Sequence, residues 1–383
     1  MQFTRIVIAC LIAAGVASIA IALLLRLASP LGLVDRPDHR KLHIGQVPLI
    51  GGLAVFVGVL VAALWLGSHS HFIQILLGTT TVVALLGVID DRHNLSVRVR
   101  VLVQAAAILT VVLSTGVQVR TLGHFLGHEL HLGWASIPFT VMAVIGLINA
   151  FNLMDGIDGL AGLLALVGIA AMALLIDTGR NHRPVALMVM LAASLLPYLA
   201  CNLGLVGRKI FLGDAGSMVL GYLIAWAMIR LSQQPGTGLA PADVLWCVAL
   251  PVLDTIAVMY RRLRAGHSPF KPDRGHIHHI LMNAGFSPRA ALACLVAIAT
   301  AMALLGRLAR EFGETTSLLA FALLLAVYVL GINRIWWRQR ARLARPVIQL
   351  AANDAYHGAT DPGTPVRARL LELPSPQADR RIG

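Results

Sequence analysis

Charge is what this 383-residue chain has least of: Asp, Glu, Lys and Arg together make up 13% of it, against about 25% in soluble proteins. A water-soluble fold cannot cover its surface with so few charges, so a pair of ordinary globular domains is excluded. Cysteine is scarce too. Cys10, Cys201, Cys247 and Cys294 all lie inside apolar runs and form no CxxC pair, which leaves no secreted-type disulfide framework and reads them as small packed hydrophobes. No internal repeat is visible. The first apolar run, 3–27, is too long for a signal-peptide core and lacks a basic start with a clear cleavage site, so it reads as a span.

What is abundant is apolar: 57% of the chain. Eleven spans of about 20 residues would take about that share. Eleven apolar stretches are present, near 3–27, 47–66, 72–89, 99–114, 137–148, 160–176, 185–200, 217–231, 244–260, 288–305 and 317–332. The expected fold is therefore all-α, a polytopic membrane protein of about eleven transmembrane helices. An odd number puts the termini on opposite sides. With the N-terminus outside, 24 of the 31 basic residues fall inside, including Arg36, Arg40, Lys41, Arg261, Arg262, Arg264 and nine arginines from Arg334 to Arg381. That asymmetry predicts N-out, C-in. It also accounts for most of the net charge of +13 without a nucleic-acid partner. Residues 1–333 read as the membrane domain and 334–383 as a basic cytoplasmic tail, interfacial around Trp336 and Trp337 and disordered from Ala351. The outside loop 116–133 reads as a small periplasmic hairpin, with His124, His128, Glu129 and His131 as surface residues.

Nine carboxylates lie on or near the inside face: Asp35, Asp38, Asp90, Asp91, Asp155, Asp158, Asp214, Asp254 and Asp273, with no Glu among them. Asp90-Asp91 closes the third stretch. The bland reading is a helix stop in a solvated turn, yet acids at a helix C-terminus oppose its dipole, which points to a compensating cation. Asn149, Asn152, Asp155 and Asp158 recur every third residue, so on a helical backbone they share a half-face; Asp158 is alternatively a cap for the sixth stretch. Gly213-Asp214-Ala-Gly-Ser217 opens the eighth stretch either as an N-cap or as a metal-phosphate cradle of free N–H groups. The longest inside loop carries Lys271, Arg274, His276, His278 and His279. Zinc usually takes wider ligand spacings, and the adjacent Lys and Arg repel a cation, so phosphate is the better partner for this cluster. Asp254 is an intramembrane acid, functional by default or else the partner of a basic group at the loop start.

Five aspartates on one face, Asp90, Asp91, Asp155, Asp158 and Asp214, cannot all ionise without a cation among them. A divalent ion is the economical answer, and magnesium takes only one or two of them as ligands. The facing basic set of Arg40, Lys41, His43, Lys271, Arg274 and the three histidines suits a phosphorylated substrate. Phosphoryl transfer at a membrane surface fits both sets. An ion-coupled transporter is the rival class, but its acids would lie mid-span, whereas here all but Asp254 sit at span ends or in loops.

Five segments in order, Val47-Pro-Leu-Ile-Gly-Gly52, Asp90-Asp91, 149–159, 213–217 and 268–279 running on to Gly285-Phe286, resemble the polyprenyl-phosphate N-acetylhexosamine-1-phosphate transferases, the group containing MraY, TagO and WecA. The Pro-Asp-Arg-Gly-His-Ile-His-His form is similar to the WecA branch. The resemblance spans about residues 35–290. It implies transfer of GlcNAc-1-phosphate from UDP-GlcNAc, or from another UDP-N-acetylhexosamine, to undecaprenyl phosphate. UMP is released, as the first membrane step of a cell-surface polysaccharide such as O-antigen. It also implies a Mg²⁺ or Mn²⁺ requirement, residence in the bacterial inner membrane with the active site on the cytoplasmic face, and a homodimer. Under it, Asp214 is the principal metal ligand with Asp91 and Asn152. Asp90, Asp91, Asp155, Asp158 and His279 are catalytic. Lys41, His43, Asn149, Asn152, Lys271, Arg274, His276, His278 and His279 contact the two substrates. Direct attack on the β-phosphorus is favoured, since proximity and metal charge suffice without a covalent step.

Overall fold

The computed structural model describes residues 2–35, 46–67, 70–176, 183–234, 236–267 and 275–358. Helix α1 (Gln2–Leu27) leads through a short antiparallel pair, β1 (Val34–Asp35) and β2 (Val47–Pro48), to α2 (Gly51–Leu66). Then come α3 (His71–His93), α4 (Val97–Thr115), the hairpin β3 (Thr121–Phe125) and β4 (His128–His131), α5 (Ser136–Met154), α6 (Leu160–Leu175) and α7 (Arg183–Asn202). The second half is α8 (Gly213–Ser232), α9 (Pro241–Cys247), α10 (Ala249–Arg264), α11 (Ile277–Asn283), α12 (Pro288–Arg310) and α13 (Glu314–Gly358).

Each of the eleven apolar stretches is helical, but they are not equal. Among the described residues, eight helices are long and apolar enough to cross a membrane. A ninth candidate is the pair α9 and α10, bent by 81°. The remaining two, α2 and α6, have 16 residues each, about 24 Å at 1.5 Å per residue, which falls short of a hydrocarbon core of about 30 Å. Against about eleven spans expected, some of them short, the described residues hold eight helices of spanning length, or nine with the bent pair, and two shorter apolar ones.

Helix ends follow local chemistry. Ser96 accepts from the Val99 N–H at the start of α4, and Ser287 from the Ala290 N–H at the start of α12, just ahead of Pro288. The expected hairpin is present. Its two-residue turn, Leu126-Gly127, has φ of 51° and 83°, the double positive φ of a type I′ turn. The Leu126 N–H donates to Thr315 Oγ1 at 2.9 Å and the His124 N–H to Glu314 Oε2 at 2.5 Å, so α13 braces the strained tip.

The core is α8, seventeen of whose twenty residues are buried. Its start is reached through glycines. A Cβ on Gly52 would lie 2.0 Å from the Gly216 Cα, and one on Gly87 would lie 2.3 Å from the Ala215 Cα. Glycine there lets α2 and α3 close directly onto the backbone of α8. The segment before α8 is held as well: the Gly51 and Gly52 N–H groups donate to the Phe211 and Leu212 carbonyls, and the Phe211 N–H donates to Pro48 O.

The chain divides into two compact units, Met1–Leu330 and Gly331–Gly383. In the second, Trp336 packs edge-on against Trp337. Helix α13 runs on to Gly358, past Ala351, where composition predicted disorder. Ala351, Ala352 and Ala355 are good helix formers, and extending an existing helix needs no new nucleus.

Candidate active site

Asp90 and Asp91 end α3 beside the start of α8, and they do different work. Asp90 is buried. One oxygen accepts from Arg100 Nη1 at 2.8 Å and the other from the Leu95 N–H at 2.7 Å, which ties α3 to α4. Asp91 accepts from the Asp214 N–H at 2.8 Å and the Ala215 N–H at 3.2 Å. A side chain 123 positions earlier thus caps α8. To the two readings of 213–217, cap or cradle, the geometry adds a third party: the Asp214 and Ala215 N–H groups are occupied by Asp91, so the negative charge they attract at a helix start comes from within the chain.

Asp214 is held from the other side. Asn152 Nδ2 donates to Asp214 Oδ1 at 2.6 Å and to Ser217 Oγ at 3.0 Å. Asn149, half-buried, lies one turn earlier on α5. The shared half-face expected for four residues holds only for these two asparagines. Helix α5 stops at Met154, and Asp155 and Asp158 leave on the turn that Gly159 closes at φ 78°. Asp158 makes no capping bond to α6; it pairs with Lys209 Nζ at 2.6 Å. A cavity of about 220 Å³ opens beside this pair, lined also by Asn202, Leu203 and Arg289.

Burial pushes the Asp155 carboxyl well above the usual range, and the charges of Asp214, Asp91 and Asp158 push it further. Asp90 in turn acts on Asp91 and Asp214, so the five aspartates form one electrostatic cluster. The histidine segment closes on it. His278 lies against Gly156, where a Cβ would be 2.2 Å from its Nε2. Burial, then the neighbouring His279 and His276, lower the His278 pKa to about 3. His279 packs 4.2 Å from His278, ring to ring. Lys41, His43, Lys271 and Arg274 lie outside the described residues.

Among the described residues, no three His, Cys, Asp or Glu side chains are arranged to hold a metal by themselves. The donor set nevertheless fits a hard ion. It is all oxygen, it is crowded with carboxylates that repel one another, and magnesium needs only one or two protein carboxylates beside water and phosphate oxygens. Asn152 spends its nitrogen on Asp214 and Ser217, which leaves its carbonyl oxygen for such an ion.

Residues 73–232 match glycosyl transferase family 4. An undecaprenyl-phosphate alpha-N-acetylglucosaminyl 1-phosphate transferase of Yersinia pestis is 38% identical over 317 residues, 81% of this chain and 87% of that protein. The protein of the same name from Escherichia coli K12 is 37% identical over 319 residues, covering 81% and 86%. That from Salmonella typhi is 38% identical over 330 residues, covering 83% and 89%. The chain belongs to glycosyl transferase family 4, the polyprenyl-phosphate N-acetylhexosamine-1-phosphate transferases.

In this family 4 member the sequence reading missed Arg100, Ser217 and Lys209 as partners of the aspartates, and it left Asp254 undecided. Asp254 Oδ2 binds His276 Nδ1 at 2.8 Å, and its Oδ1 accepts from the Ile277 N–H and the Tyr328 hydroxyl, both at 3.1 Å. Its status as an acid inside an apolar stretch was the one available signal.

Proposed function

We propose that this protein transfers GlcNAc-1-phosphate from UDP-GlcNAc to undecaprenyl phosphate, releasing UMP, at the cytoplasmic face of a bacterial inner membrane. The observation that supports this most is the convergence of Asp90, Asp91, Asp155, Asp158 and Asp214 with the histidine segment through Gly156 and His278, in a chain whose relatives of that name cover four-fifths of its length. In this reading Asp214 and Asn152 hold a Mg²⁺ or Mn²⁺ ion. Asp91, with both oxygens on α8 amides, fixes Asp214 in place. Asp90, held by Arg100, sets the α3 end.

The ion, when bound, supplies positive charge to the diphosphate and so favours departure of UMP. The chain supplies position. The acceptor phosphate oxygen forms a bond to the β-phosphorus, the bond from that phosphorus to the bridging oxygen breaks, and the electron pair leaves with UMP. Asp155, whose surroundings make it hold its proton more tightly than a free carboxyl, would release it more readily once a cation relieves the cluster. His278 stays neutral at physiological pH, so it serves as a hydrogen-bonding surface. Lys41, His43, Lys271 and Arg274 complete the phosphate contacts.

The inside bias of Lys and Arg supports the N-out arrangement. The test is to incubate purified protein with undecaprenyl phosphate, Mg²⁺ and a panel of UDP-sugars and to score UMP. UDP-GlcNAc is expected to give the fastest release, and release only with the lipid present. A faster UDP-N-acetylhexosamine would replace the donor; no release from any would end the proposal.

A further inference from the structure

Asp254 and His276 form a buried pair, 1% and 3% exposed. Asp254 accepts three hydrogen bonds: from His276 Nδ1, from the Ile277 N–H at the head of α11, and from the Tyr328 hydroxyl on α13. A carboxylate offers only acceptors, so the shared proton sits on Nδ1. Among the described residues, His276 Nε2 finds no partner, and neither ring nitrogen of His278 finds one. The two rings are parallel within 5°, their centroids 6.0 Å apart. Buried polar groups in native proteins are almost always paired, so three vacant imidazole nitrogens side by side mark a place built for a polar ligand. That place adjoins Gly156 and hence Asp155.

We infer that Asp254, braced by Tyr328, is a positioning residue for the transfer reaction: it locks His276 in the Nδ1–H form and keeps Nε2 open to the phosphorylated donor. The inference rests on the reaction proposed above. The physical reason is that a neutral imidazole interconverts between two tautomers unless one nitrogen is committed. An Asn at 254 can donate its amide N–H to Nδ1, which reverses the assignment while preserving size. Tyr328 and the Ile277 N–H hold the carboxylate itself, so the ring cannot carry it away. The pairing joins α10, α11 and α13 at one point, with partners 22 and 74 residues further along the chain than Asp254.

The experiment uses the full-length protein in detergent with ¹⁵N-labelled histidine, His276→Gln identifying the His276 signals. Wild type is expected to carry the proton on Nδ1 and Asp254→Asn on Nε2. In Asp254→Asn, kcat for UMP release should fall by about a hundredfold to ten-thousandfold, with KM for UDP-GlcNAc within about threefold, and Asp254→Glu should recover part of the rate. An unchanged tautomer in folded Asp254→Asn overturns the inference. So does a wild-type kcat there, or a loss of rate that merely tracks lost folded protein in both variants. The expected tautomer difference between wild type and Asp254→Asn, with a wild type that never releases UMP, upholds the pairing and locates the failure in the proposed reaction.

Discussion

Asp214 and Asp155 carry opposite tasks with the same side chain. Asp214 is positioned by Asn152 and by the α8 start, and Asp214→Asn should reduce UMP release at least about a hundredfold with the protein still folded; retained activity would remove it from the metal site. Asp155 is crowded and desolvated, so its proton is bound more tightly folded than unfolded. Its contribution to stability is therefore full below the unfolded carboxylate value of about 4 and is lost as pH rises through the raised native value. Metal-free protein should melt at lower temperature as pH rises from 4 through the neutral range, and Asp155→Asn should flatten that decline. His278 works the other way: its lowered pKa leaves stability intact above about 6.5 and erodes it as pH falls toward 3. The acidic residues themselves were legible in the sequence because short carboxylates at span ends have few other reasons to be there. Their partners were not. Asp91 caps a helix 123 residues away, and nothing local separates an acid that binds an ion from one that binds two amides.

Helix α8 sets where everything else goes. Asp214 stands at its first turn, Asp91 caps it, Asn152 on α5 reaches it, and α2 and α3 close onto it through Gly52 and Gly87. A methyl on Gly52 would meet the Gly216 backbone, which cannot yield as a side chain can. Gly52→Ala should cost about 1–3 kcal/mol, read as a lowered melting temperature together with lost turnover. Gly78→Ala on the exposed face of α3, with nothing within 4 Å, should be neutral or slightly stabilising. Equal effects from the two would show that the α2–α8 approach is slack. The sequence displayed Gly51-Gly52 as part of a motif without its cause, because the constraint is a backbone 164 positions further on. Helix lengths were equally hidden. Helices α2 and α6 read as apolar as their neighbours, and the bend between α9 and α10 leaves no proline or polar break at Val248 itself.

Across the whole molecule, the charge asymmetry predicts the orientation, with the acidic cluster on the basic side. In a variant without the four native cysteines, a cysteine placed at Gly127 on the hairpin tip should react in intact cells with an impermeant maleimide, and one at His267 only after the cells are opened. The reverse pattern would invert the topology and put the aspartates outside, away from cytosolic nucleotide sugars. In the proposed reaction a divalent cation offsets the clustered carboxylates during transfer. The most direct measurement is UMP release from UDP-GlcNAc and undecaprenyl phosphate by the purified protein, titrated with EDTA and then with Mg²⁺. Activity that vanishes with the ion and returns with it is the predicted result; release at an unaltered rate in excess chelator would contradict the account.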